Sequence, residues 1–302
     1  MPDQGKPKFA RKGRALLPGQ KSELTVIDAD GGNRTVILFA DEIIEAPNWT
    51  PDGKWLIFNA GGEIWRIAPD GSEGPELIDT GTIRDLNNDH LLSPDGKTIY
   101  LSNNDGHLYS VPIGGGEPRR VSNTHPESFV YFLHGISPDG KLLAYVGVEP
   151  VGGNKWGKVN IFTIPAEGGP DLRLTDLMQP HDGPEYAPDG NWIYFNSERA
   201  SPGQAQLFRM RADGSGVEQL TFDERVNWFP HFWPDGERVV YLSYPAGTRG
   251  HPADKDVILR TMAPDGSDQR DVVAFNGGQG TINVNSCAPD NTRFAYVAYP
   301  VT

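Results

Sequence analysis

One tripeptide returns along the chain at nearly even intervals. Pro51-Asp52-Gly53, Pro94-Asp95-Gly96, Pro138-Asp139-Gly140, Pro188-Asp189-Gly190 and Pro234-Asp235-Gly236 are followed by a sixth, altered copy, Pro289-Asp290-Asn291. The spacings are 43, 44, 50, 46 and 55 residues. A period of this length marks a repeat architecture, in which each repeat is a supersecondary unit that buries its apolar face only against its neighbours.

The motif is turn chemistry. Proline presets φ at the first central position, the aspartate side chain bonds nearby backbone N–H groups, and glycine accepts the exit conformation. Each copy is followed by a nearly continuous apolar run, such as Trp55-Leu56-Ile57-Phe58, Trp192-Ile193-Tyr194-Phe195 or Val239-Val240-Tyr241-Leu242. Such runs suit strands covered on both faces. A second set of turns alternates with the first, at Asp30-Gly31, Asp70-Gly71, Gly114-Gly115, Glu167-Gly168, Asp213-Gly214 and Asp265-Gly266. Each lies between an alternating strand, such as Leu207-Phe208-Arg209-Met210, and a short one, such as Gln219-Leu220-Thr221.

One repeat is therefore four antiparallel strands, A to D, and six repeats make an all-β, six-bladed β-propeller. The phase of the repeat predicts how the ring closes. The chain opens with a C/D hairpin over residues 23 to 39 and ends with an A/B hairpin over 283 to 298, so these halves should pair as one composite blade and remove the exposed edges. Residues 22–302 form a single propeller domain, and residues 1–21 form a basic N-terminal arm expected to be mobile.

The segments Asn48-Trp49-Thr50-Pro51-Asp52-Gly53-Lys54-Trp55-Leu56-Ile57-Phe58 and Leu207-Phe208-Arg209-Met210-Arg211-Ala212-Asp213-Gly214 resemble the WD40-like repeats of TolB propellers over roughly residues 22 to 300. The resemblance implies the six-bladed fold. TolB itself is a periplasmic component of the Tol-Pal envelope system with an α/β domain ahead of its propeller, whereas here only about 22 residues precede the first strand. Similar repeats occur in prolyl-oligopeptidase-like peptidases and oligogalacturonate lyases, so fold alone does not assign an activity.

Charge and composition narrow the classes. The net charge is −13, yet the first 21 residues, with Lys6, Lys8, Arg11, Lys12 and Arg14, carry about +5, which leaves about −18 on the propeller. A body that acidic repels phosphate backbones, so nucleic acid is not an expected partner. No apolar run reaches the length of a membrane span. The N-terminus lacks the apolar core of a secretory signal, which points to the cytoplasm, or to the periplasm if an export signal has been removed. The single cysteine, Cys287, permits no intramolecular disulfide and reads as a small buried thiol. No Gly-x-Ser-x-Gly elbow, phosphate-binding loop or dinucleotide fingerprint is present.

In the propeller topology the D-to-A and B-to-C connections share one face, here called the loop face, and strand A lines the central channel. Four of the seven histidines lie on or beside strand A: His90, His134, His181 and His231, joined by Asp89, Asp182 and Glu185. Imidazole and carboxylate together suit a divalent metal, and oligogalacturonate lyases are similar in holding a metal with channel histidines. The same side chains could instead hydrate a channel, since the histidines stand four, four, seven and three residues before their prolines and so at different depths. The longest B-to-C insertions, residues 149 to 158 with Lys155 and Trp156, 198 to 205, and 244 to 256 with Arg249 and His251, offer anchors for recognition, with Trp228 and Asn48 as further binding candidates.

Two functions follow. With no catalytic motif in a complete ring, the leading expectation is a monomeric, cofactor-free binding scaffold that recruits a protein, peptide or glycan at the loop face. The alternative is a metal-dependent lyase or hydrolase acting on an acidic sugar, with the four histidines as ligands and Glu185 or Asp182 as base.

Overall fold

The computed structural model describes Phe9, Ala10 and residues 13–301. Among these residues the regular structure is strand, and no helix is long and apolar enough to cross a membrane. Blade 1 is built from Ile44–Trp49, Leu56–Ala60, Glu63–Ile67 and Glu76–Ile78; blade 2 from Leu86–Leu92, Thr98–Asn103, Leu108–Pro112 and Arg119–Arg120. Blade 3 takes Val130–Ile136, Leu142–Val151, Asn154–Pro165 and Leu172–Arg173, and blade 4 His181–Tyr186, Trp192–Ser197, Gln206–Arg211 and Glu218–Gln219. Val226–Phe232, Val239–Tyr244, Lys255–Met262 and Arg270–Gly277 complete blade 5. Every pairing within a blade is antiparallel, as the repeat requires.

Closure occurs as the phase predicts. Ser22–Asp28, next to Thr35–Ala40, pairs with Arg293–Ala298 in a register running from Glu23 opposite Ala298 to Asp28 opposite Arg293. The inner strand of this sixth blade is irregular: one ladder bridge joins Cys287 to Phe294, and Ala295 N donates to Ser286 O. Farther along, Val297 N donates to Thr281 O, and asparagine side chains bond the backbone between these points. Asn283 Oδ1 accepts from Gly280 N, Asn285 Oδ1 accepts from Cys287 N, and Asn285 Nδ2 donates to Phe232 O in blade 5. Short amide side chains compete with strand pairing in this way wherever they bond backbone locally.

The second strands form the core of each blade. Leu56–Ala60 and Val239–Tyr244 are buried throughout, because each lies between two neighbouring blades. The Pro-Asp-Gly turns add a contact between blades. A Cβ built on Gly96 would stand 3.5 Å from Pro51 Cδ, and one on Gly140 would stand 3.3 Å from Pro94 Cδ, so each turn is seated against the proline of the blade before it. At the altered copy Asn291 keeps the left-handed backbone (φ 59°), and its Oδ1 accepts a hydrogen bond of 3.0 Å from Asp235 N in the preceding turn. The asparagine thus ties the last turn of the ring to its neighbour.

Two expectations need correction. The described part of the N-terminal arm is packed, not free. Phe9 is buried with its ring edge-on to Phe58 and Trp65, and Gln20 bridges to Val301 and donates to Tyr299 O and Asp254 Oδ1. Arg14 stacks over the Tyr299 ring, donates to Gln279 O and lies 3.6 Å from Glu45 Oε1, which gives its charge a half-buried acidic partner. Lys6, Lys8, Arg11 and Lys12 lie outside the described residues. The insertion at 149 to 158 is likewise no loose loop. It continues the B and C strands of blade 3 as a hairpin, turned by Gly152 and Gly153 with φ of 57° and 84°, the left-handed pair that a two-residue hairpin demands.

Asn291→Ala removes the bond to Asp235 N and places a Cβ-bearing residue without a compensating side-chain bond at positive φ. We expect it to lower the unfolding free energy by about 1–2 kcal/mol in urea titration, with Asn291→Gly costing less because glycine keeps the backbone unstrained.

Candidate functional site

Each inner strand carries a break in register before its proline. The breaks fall between Glu45 and Asn48, Leu86 and His90, Leu133 and Gly135, Asp182 and Glu185, and Trp228 and His231. Ala46, Gly183 and Phe229, each five residues before its proline, adopt positive φ of 54°, 60° and 54°. A bulge of this kind bends the strand and re-aims its side chains, and strained non-glycine residues cluster where a fold supports a site. The bulges are held from the neighbouring blade by a polar residue eight positions after the previous proline. Asn59 Nδ2 donates to Asn87 O, Ser102 Oγ accepts from Leu133 N, and Asn196 Oδ1 accepts from Phe229 N.

The channel holds two cavities. One, of about 400 Å³, opens on the turn face and is ringed by Pro51, Pro94, Pro138, Pro188, Pro234 and Pro289, with Asn48, Glu185 and Cys287 deeper in its wall. The other, of about 190 Å³, opens on the loop face. It is lined by Asn87, Asn88 and Asp89 of blade 2, Phe132 and His134 of blade 3, Trp156 of the hairpin, Asp182, Phe229, His251, Gln279 and Asn283. His134 lines both cavities and so forms part of the wall between them.

The loop-face cavity gathers residues that lie far apart in sequence. His134 Nε2 is 3.1 Å from Asp182 Oδ1, which also accepts 2.7 Å from Gly183 N. His251 reaches in from the 244 to 256 connection, wedged between the Trp228 and Phe229 rings, with Nδ1 bonded to Gln279 Oε1 and Nε2 3.8 Å from Asp182 Oδ2. Trp156, 62% exposed, stacks on Phe132 at a centroid distance of 5.7 Å and an interplanar angle of 14°. Asp89 is 5% exposed; its Oδ2 accepts from Asn87 Nδ2, and its buried Oδ1 has no hydrogen-bond partner.

Charge in this cavity is settled by competition. Burial alone would strip the proton from His134, but the carboxylates of Asp89 and Asp182 outweigh it and raise the imidazolium to about 9. Burial pushes the Asp89 carboxyl up to about 6, with the His134 charge opposing. For Asp182, burial again acts upward, and the hydrogen bond and charge of His134 outweigh it, holding the group below its ordinary value. His251 is lowered, chiefly by burial. Near neutral pH the cavity therefore holds two carboxylates against one imidazolium.

The histidines grouped by sequence have separate partners. His90 Nδ1 lies 2.7 Å from Asn59 Oδ1, and burial lowers that imidazole to about 3. His181 Nδ1 faces Ser197 Oγ at 3.2 Å, and its ring stacks on Phe195. His231 sits between Glu185 Oε2 and Ile282 O. Among the described residues, no group of three or more His, Cys, Asp and Glu side chains is placed to hold a metal ion. Glu185, one candidate base, is occupied as an acceptor by Phe232 N and Asn285 Nδ2 beside His231, and it lines the opposite cavity from Asp182. Of the binding candidates, Trp156 and His251 line the loop-face cavity, and Lys155 and Arg249 are exposed on the connections that flank it. Trp228 is buried as backing for His251, and Asn48 lines the turn-face cavity, so neither offers the surface expected of it. Phe132, Phe229 and Gln279 line this cavity although the strand pattern did not single them out, since their placement depends on packing between blades.

Comparison with known proteins places this geometry in context. Residues 135–263 match the family described as the TolB beta propeller domain. An uncharacterised protein of Agrobacterium fabrum is 38% identical over 92% of this chain and 92% of its own length. A solved structure from Agrobacterium tumefaciens, provisionally assigned to TolB, superposes with a TM-score of 0.86 at 38% identity, covering 94% of this chain and 99% of that one. The Tol-Pal system protein TolB of Francisella tularensis is 24% identical over 94% of this chain, which spans only 62% of that protein's length.

The raised imidazolium has a defined pH signature. Its stabilising contribution is complete below the unfolded value near 6.5 and is lost as pH rises through about 9. Ring-nitrogen NMR of His134 should show titration close to 9 and a fall of about one unit or more in Asp89→Asn, which removes the larger of the two attractive charges. Titration near 6.5 in both proteins would refute the arrangement.

Proposed function

The chain belongs to the TolB β-propeller family, and from that premise we propose that it is a non-catalytic scaffold that recruits a protein partner through its loop face. The observation that carries this reading is Trp156. Its indole stands 62% exposed on a strand-paired hairpin, stacked on Phe132 at the lip of a cavity. Large aromatic side chains held in place by a scaffold are the usual anchors of protein interfaces, because little conformational entropy remains to be lost on binding. Lys155, next to Trp156 in the hairpin, and Arg249, two residues before His251, are exposed. The Tol-Pal relative, named for an assembly, is consistent with this role.

A metal-dependent lyase or hydrolase would require the histidines to converge on one ion, and they stand in separate hydrogen-bonded partnerships. The scaffold reading makes no such demand.

The test is capture of partners from lysate on immobilised protein, comparing wild type with Trp156→Ala, Arg249→Ala and the turn-face variant Lys141→Ala. Trp156→Ala should deplete the captured partner by about tenfold or more, the order expected when an interface anchor is truncated. Arg249→Ala should weaken capture to a smaller degree, and Lys141→Ala should leave it unchanged. Equal capture by all four proteins would overturn the proposal, and recovery of glycan in place of protein would redirect it.

A further inference from the structure

The loop-face cavity contains a deficit that its own residues do not meet. Asp182 is matched by His134 and by Gly183 N, whereas Asp89, the other carboxylate whose charge acts on His134, has one buried carboxylate oxygen with no hydrogen-bond partner. A buried unpaired carboxylate oxygen is costly, and a ligand that donates to it would remove that cost. The walls around it are aromatic: Phe132, Trp156 and Phe229 line the same cavity. Aromatic faces attract cations and offer nothing comparable to an anion.

Resting on the scaffold reading above, we propose that this cavity is a receptor for one basic side chain of the partner, the ammonium of a lysine or the guanidinium of an arginine, donated to Asp89 Oδ1 beneath the Trp156 and Phe132 rings. Charge within the cavity supports the assignment, since two carboxylates face one imidazolium there and the exposed Lys155 and Arg249 are not among its lining residues. Size supports it too, because about 190 Å³ admits a single side chain and excludes a folded element. Burial raises the Asp89 carboxyl, and the charge of a bound cation would offset that cost.

The experiment uses the full chain, labelled with nitrogen-15, and follows the Trp156 indole N–H signal during titration with three capped tripeptides: glycyl-lysyl-glycine, glycyl-arginyl-glycine and glycyl-norleucyl-glycine. The two basic peptides should shift the signal saturably, and the norleucine peptide, of similar length and no charge, should not. Asp89→Asn should weaken the basic peptides by about tenfold, the loss expected when a charge-assisted bond is removed. Equal binding of norleucine would overturn the proposal, as would an unchanged affinity in a folded Asp89→Asn protein. A response to magnesium chloride alone, with none to the peptides, would assign the site to an inorganic cation and also overturn it. The norleucine contrast needs no variant, so it decides the matter even if Asp89→Asn folds poorly. Loss of partner capture in Trp156→Ala with full capture in Asp89→Asn would leave the scaffold reading standing and remove this one.

Discussion

Everything in this molecule that resembles a site depends on the pairing of Ser22–Asp28 with Arg293–Ala298. Five blades in a row would be an open, twisted array with two exposed sheet edges and no enclosed channel. The ladder between the two ends of the chain brings blade 6 into register, sets its irregular inner segment against blades 5 and 1, and so closes the wall that makes both cavities. Long-range strand pairing of this kind is slow to form and must overcome the closure entropy of nearly the whole chain. Burial offsets that cost at each blade interface, where strands such as Leu56–Ala60 lie covered on both sides.

The architecture was legible because turn chemistry is local. Proline, aspartate and glycine act through the dihedrals and hydrogen bonds of adjacent residues, so their spacing alone reveals the number of blades and the phase of closure. The shape of the insertion at 149 to 158 was also written locally, in Gly152-Gly153 between strand-like flanks, although the run of small and polar residues obscured it. By contrast, the packing of the arm depends on where Phe58, Trp65 and Tyr299 lie in three dimensions, and nothing near Phe9 or Arg14 in sequence reveals those partners.

The site was legible only in part, for the same physical reason. Strand periodicity places Asp89, His134, Asp182 and Glu185 on the cavity walls, whereas His90, His181 and His231 line neither cavity, because partners across a blade interface are set by register breaks that periodicity does not contain. His134 and His90 occupy the same position relative to their prolines, yet one becomes an imidazolium between carboxylates and the other a neutral ring on Asn59. A readable signal did exist: Asn59, Ser102 and Asn196 interrupt otherwise apolar second strands at the same repeat position, and each holds the inner strand of the next blade. A polar residue recurring at a buried repeat position is itself a statement about contacts between repeats.

The carboxylates show how the two faces divide the work. On the turn face, Asp52, Asp95 and Asp139 accept hydrogen bonds from the hydroxyls of Thr50, Ser93 and Ser137 and from backbone N–H groups two residues on, and these bonds hold them below the ordinary range, Asp139 at about 2. Their bonding capacity is directed into the turns that build the ring. On the loop face, Asp89 and Glu45 are raised, with burial the largest cause in each, while burial of Asp182 is outweighed by the hydrogen bond and charge of His134. A carboxylate stabilised by its own turn gains little from a ligand, whereas one held in a desolvated cavity gains much.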